Sequence, residues 1–68
     1  MQVTAVLTPA AEGGFTALNP ETGCVSEGET VERAVANLRE AVELYLEEFP
    51  LDIIGPAVVT SFTVGAGA

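Results

Sequence analysis

A chain of 68 residues makes one small domain. It buries only about 60% of the surface its unfolded form exposes, which favours a staple, a metal or a partner chain. One cysteine and no histidine exclude an intramolecular disulfide, the usual zinc ligand sets and histidine-dependent triads, leaving a partner chain as the favoured stabiliser. Ten acidic residues against two arginines and no lysine give a net charge of −8 and a pI near 4.1. Such a field repels nucleic acid and attracts a basic protein. A hydrophobic share of 49% and a mean hydropathy of +0.42 argue against disorder. No apolar run reaches the ~18 residues that a membrane span needs. The N-terminus has no basic flank and does not resemble a secretion signal. A lone thiol fits a reducing compartment, so the expected location is cytoplasmic.

Gln2 to Thr8 reads as a first strand, with Val3, Ala5 and Leu7 on one face and Gln2, Thr4, Val6 and Thr8 on the other. Pro9 to Gly14 stops it and supplies turn glycines. Phe15 to Asn19 is a second strand, antiparallel to the first, with Phe15, Ala17 and Asn19 on one side. Pro20-Glu21-Thr22-Gly23 has turn chemistry, and Cys24 to Glu27 is a short third strand ended by Gly28.

Thr30 is a good N-cap directly before a periodic apolar run. Val31, Ala34, Val35, Leu38, Ala41, Val42, Tyr45, Leu46 and Phe49 recur at three- and four-residue steps and form one stripe. Glu29 and Glu32 suit the positive end of this helix. Glu43, Glu47 and Glu48 crowd its negative end, where they have no local stabilising role. Pro50 ends the helix. Leu51 to Pro56 is an apolar loop whose Leu51, Ile53 and Ile54 are expected to pack over one end of the core. Ala57 to Val64 alternates as a fourth strand, and Gly65 to Ala68 is a flexible tail.

The expected architecture is therefore α+β in the order β-β-β-α-β: one domain over residues 1–64 and a tail over 65–68. One helix covers one sheet face and leaves Val6, Leu18 and Val25 partly open on the other, a surface that a partner would cover. This predicts a homodimer or a higher homo-oligomer.

Carboxylates are the only abundant reactive groups. Acid–base catalysis needs two of them converging in a pocket, whereas Glu32, Glu40, Glu43 and Glu47 sit at helix spacing on a solvated face. Cys24 has no neighbouring cation to activate it. Gly13-Gly14 is followed by a strand and no P-loop lysine, so it is a turn rather than a phosphate cradle. Tyr45 belongs to the apolar stripe. Neither an enzymatic activity nor a cofactor or metal is expected.

The segment from Gly14 to Glu48 resembles the HicB family of antitoxins in its short form. Phe15 and Ala17 match the family's strand, and Asn19, Pro20, Glu21 and Gly23 its turn. Ser26, Gly28 and Thr30 match the approach to the helix. Ala34, Asn37, Leu38, Glu40, Ala41, Tyr45 and Leu46 match the helix, and Val58 to Val64 resembles the last strand. Arg33 stands where the pattern has Glu, so the reciprocal capping box is lost while the Thr30 cap remains.

The resemblance implies a partial RNase H-like fold with a four-stranded mixed sheet of order 3-2-1-4. It also implies an antitoxin of a type II toxin–antitoxin system that neutralises a small basic, mRNA-cleaving toxin of the HicA type. No helix-turn-helix or ribbon-helix-helix segment is present, so direct nucleic-acid binding by this chain alone is not expected. Glu32, Glu40, Glu43, Glu47 and Glu48 are the candidate partner-binding residues, chosen for charge and exposure. The competing reading is an orphan dimeric interaction module of the same family without a toxin.

Overall fold

The alternation of the N-terminal third and the long helical period after Thr30 build two layers, a sheet and one helix. The computed structural model describes residues 1–52 and 54–65. Among them, β1 (Val6–Pro9), β2 (Phe15–Leu18) and β3 (Val25–Gly28) form an antiparallel sheet in the order β1-β2-β3, followed by α1 (Val31–Glu48). Leu7, Ala17 and Ser26 lie opposite one another across the strands, as do Pro9, Phe15 and Gly28. Ala17 joins Ala34, Leu38 and Val42 of α1 in the buried core, with Val3, Leu7, Phe15, Cys24 and Leu46 packed around them. Val6, Leu18 and Val25 form the next row. Period-two geometry puts that row on the opposite face, where Leu18 and Val25 are 38% and 59% exposed.

The helix begins as its sequence directs. Thr30 adopts extended dihedrals and its hydroxyl accepts from the Arg33 N–H at 3.1 Å, satisfying one of the orphan donors of the first turn. At the other end, the Phe49 N–H donates to the Tyr45 carbonyl at 2.8 Å. The rings of these two residues lie 5.1 Å apart.

Two glycines allow close backbone approach, one between the layers and one within the sheet. A Cβ on Gly28 would come within 2.5 Å of the Ala34 nitrogen, so the end of β3 packs directly on the first turn of α1. Gly14 has φ +79° and would place a Cβ 2.7 Å from the Gly28 carbonyl oxygen.

The four-stranded, partial RNase H-like sheet of order 3-2-1-4 is overturned: among the described residues the sheet has three strands, all antiparallel, in the order β1-β2-β3, and no fourth strand joins β1. Ala57 to Val64 is not a strand. A strand exists by its ladder, and alternation specifies a readiness to pair rather than a partner. Here only Ala57 is tied down, by bonds to Glu21 and Thr4, while Val58 and Phe62 are 93% and 86% exposed.

The strand limits move for similar reasons. The first strand starts at Val6 rather than Gln2, because the Thr4 N–H and carbonyl are taken by the Glu21 and Asn19 side chains instead of a ladder. The third runs Val25–Gly28, since the Cys24 N–H donates to the Thr22 hydroxyl. Leu51 and Ile54 are exposed and do not cover the core. Ile53, and residues 66–68 of the expected tail, lie outside the described residues.

Candidate functional site

Two features stand out, a clip at one end of the sheet and a groove beside the helix. The clip is built on the turn between β2 and β3. Asn19 continues the inward-facing parity of Phe15 and Ala17, and it is fully buried. Its amide nitrogen donates to the Thr4 carbonyl (2.7 Å) and to Glu21 Oε1 (2.8 Å), while its Oδ1 accepts from the Thr22 N–H (3.0 Å) and hydroxyl. The backbone closes the same turn: the Asn19 N–H donates to the Cys24 carbonyl at 2.8 Å and the Gly23 N–H to the Asn19 carbonyl at 2.7 Å. Every hydrogen-bonding position of a buried amide is thereby used, as burial requires.

Glu21 extends the clip outward. Its Oε1 accepts from the Thr4 N–H at 2.9 Å, and its Oε2 accepts from the Thr4 hydroxyl at 2.8 Å and the Ala57 N–H at 2.6 Å. The Thr4 and Ala57 backbone donors, with help from the Thr4 hydroxyl, hold this carboxyl at a pKa of about 2, because each bond favours the ionised form. One carboxylate thus joins three segments distant in sequence: the approach to β1, the turn after β2 and the root of the C-terminal segment. The sequence placed Asn19 at the end of the second strand and Glu21 in the turn after it, and did not reveal this joint. The available signal was the inward parity of Asn19, a polar residue that had to find buried partners.

The second feature is a groove of about 800 Å³ between the N-terminal segment and α1. Its floor is apolar, formed by Val3, Val35, Leu38, Val42 and Leu46, and Arg39, Glu43 and Glu47 also line it. At about 100° per residue, Glu32, Glu40, Glu43 and Glu47 share roughly 80° of the helix circumference, and Glu48 lies about 80° to the other side of Glu40. All five candidate glutamates are exposed. The structure brings Glu43 and Glu47 to the groove and leaves Glu32, Glu40 and Glu48 off it. Arg39 Nε stands 3.4 Å from Glu43 Oε2 with both side chains exposed, a pair worth about 0.3–0.5 kcal/mol. The last turn of the helix carries no basic residue. Among the described residues no three metal-ligating side chains converge, and no helix is long and apolar enough to cross a membrane.

The chain is similar in sequence to UPF0150 proteins. It is 38% identical over 52 residues to a UPF0150 protein of Helicobacter pylori, a match covering 76% of this chain and 72% of the relative. A UPF0150 protein of Synechocystis is 36% identical over 53 residues, 76% of this chain and 74% of the relative. Another from Synechocystis is 44% identical over 45 residues, and there the match spans only 57% of the relative's length. The chain belongs to the UPF0150 family. No family model matches it, and no solved structure matches it significantly.

Proposed function

We propose that this protein is a HicB-like antitoxin of a type II toxin–antitoxin system, which binds and neutralises a small basic, mRNA-cleaving ribonuclease of the HicA type in the cytoplasm. The observation that carries this reading is the acidic face of α1. Four glutamates share one sector of an 18-residue helix in a chain of net charge −8, and two of them, Glu43 and Glu47, reach the groove. Glu43, Glu47 and Glu48 lie at the helix end where negative charge is unfavourable, so contact with a cationic partner supplies a reason for them that folding does not. A ribonuclease must expose cations to hold RNA phosphates, and carboxylates presented in a row occupy those cations while steering the encounter. The resemblance of Asn19 to Gly23, Ser26 to Thr30 and the helix positions to HicB antitoxins supports the same reading. The functional unit is a homodimer, in keeping with a four-residue buried hydrophobic core and an open sheet face.

The test is co-expression with a short basic protein encoded beside this one. Growth restored in cells making that protein, with a complex recovered at low salt, is the expected result. Failure to rescue, with no complex at low salt, refutes the reading and leaves the orphan dimeric module.

A further inference from the structure

The chain exposes more surface than a finished domain of its mass. Its accessible area is 5321 Å², against about 4,000 Å² for a folded monomer of 7.0 kDa. Its radius of gyration is 13.8 Å, where 68 packed residues give about 11 Å. The excess, about 1,300 Å², is more than the ~800 Å² per partner that a standard stable interface needs.

Two complementary features contribute to that excess. The first is the segment Ala57 to Val64, which carries no charge and alternates so that Val58, Phe62 and Val64 share one side of an extended strand. All three are exposed. Among the described residues, Val58 to Val64 makes no hydrogen bond to any other segment. The second is the outer edge of β1, which has β2 on one side and, among the described residues, no strand on the other, beside the apolar groove of Val3, Val35, Leu38, Val42 and Leu46. An open edge next to an apolar floor is a template for an added strand.

We propose that two copies of this chain dimerise by reciprocal exchange, the Ala57–Val64 segment of each lying along the β1 edge of the other with Val58 and Phe62 seated in its groove. The exposure of the segment supports exchange. Glu21 and Thr4 fix the root of the segment at Ala57, beyond a connection carrying Pro50, Gly55 and Pro56, and from that root the side chains stand in solvent instead of on their own groove. Charge supports the second copy as occupant. Two molecules of charge −8 repel, and an uncharged segment is the part of each that approaches the glutamate-lined groove without a like-charge penalty. A C2 arrangement closes both edges at once and leaves Glu32, Glu40 and Glu48, which lie off the groove, free. The inference deepens the self-association part of the proposed function and does not depend on a toxin.

Sedimentation equilibrium of the full chain, paired with isotope-filtered NMR on a mixture of labelled and unlabelled copies, tests it. The expected result is a dimer with intermolecular contacts from Val58 and Phe62 to Val35 and Leu46. Phe62→Glu and, from the groove side, Val35→Glu should each raise the dimer dissociation constant tenfold or more while the helical circular dichroism signal persists. A monomer, with the segment either free or folded on its own groove, overturns the proposal. So does a dimer that survives both substitutions. Because no toxin is present, these outcomes are independent of whether rescue succeeds.

Discussion

Asn19 shows how much of this small structure one side chain can hold. Its amide joins the approach to β1, the turn after β2 and the Glu21 carboxylate, all from a fully buried position. Asn19→Ala strips the Thr4 carbonyl and Thr22 amide of their partners. Unpaired groups cost about 1–3 kcal/mol when fully buried, and these two, being half-buried, fall towards the lower end. Urea denaturation should therefore show a lower midpoint with an unchanged slope. Glu21 makes a separate prediction with a definite sign. Its carboxyl is held at about 2 against an ordinary value of 4.5. The folded state therefore binds the proton less tightly than the unfolded state does. The stability contributed by the clip is fully present above about pH 4.5 and is lost as pH falls towards about 2. Glu21→Gln offers one oxygen where two backbone N–H groups, of Thr4 and Ala57, now have one each. It should lower stability at neutral pH and flatten the acid limb of the unfolding profile between those values. An acid limb unchanged by the substitution would show that the clip does not form in solution.

At the scale of elements, the helix and the hairpin were legible in the sequence because their signals are local. The Thr30 cap and the three- and four-residue spacing of Ala34, Leu38 and Val42 need nothing beyond a few neighbouring residues to be read, and the structure buries those three positions. The open row of Val6, Leu18 and Val25 followed from period two in the same way. What was not legible lies between segments. The Thr4–Glu21 and Glu21–Ala57 bonds span 17 and 36 positions, and no periodicity encodes them. The fourth strand failed for the same physical reason, since Ala57 to Val64 has the pattern of a strand and no ladder within the chain. Gly28 lies between the two cases. It read as a stop for the third strand, and its further role came only with the helix packed on it. Gly28→Ala drives a methyl group to 2.5 Å from the Ala34 nitrogen, against backbone that cannot rotate away. The strand and the first turn of α1 must separate, at a cost of about 1–3 kcal/mol. The thermal midpoint should fall, and amide exchange should accelerate first in β3 and the first turn of α1, ahead of the β1–β2 ladder.

For the whole molecule, charge and stability pull in opposite directions at one place, the C-terminal turn of α1. Glu47 and Glu48 are exposed, face the negative end of the helix dipole and have no basic residue in their turn. Replacing them by lysine removes two unfavourable charges and adds two favourable ones, moving the net charge from −8 to about −4. Helix-end charges are worth about 0.3–1 kcal/mol each at low salt, so Glu47→Lys with Glu48→Lys should raise the thermal midpoint. If these glutamates serve only solubility, nothing else of consequence changes. If they meet a basic ribonuclease, the same double variant should bind it more weakly, chiefly through a slower association rate. The salt dependence of binding should shrink as well, since the screened attraction is smaller. The pairing of a gain in stability with a loss in association is the signature to measure, by calorimetry of the free protein and stopped-flow mixing with the toxin at two salt concentrations. A variant that is more stable and binds as fast as the wild type would move the contact surface away from the end of α1.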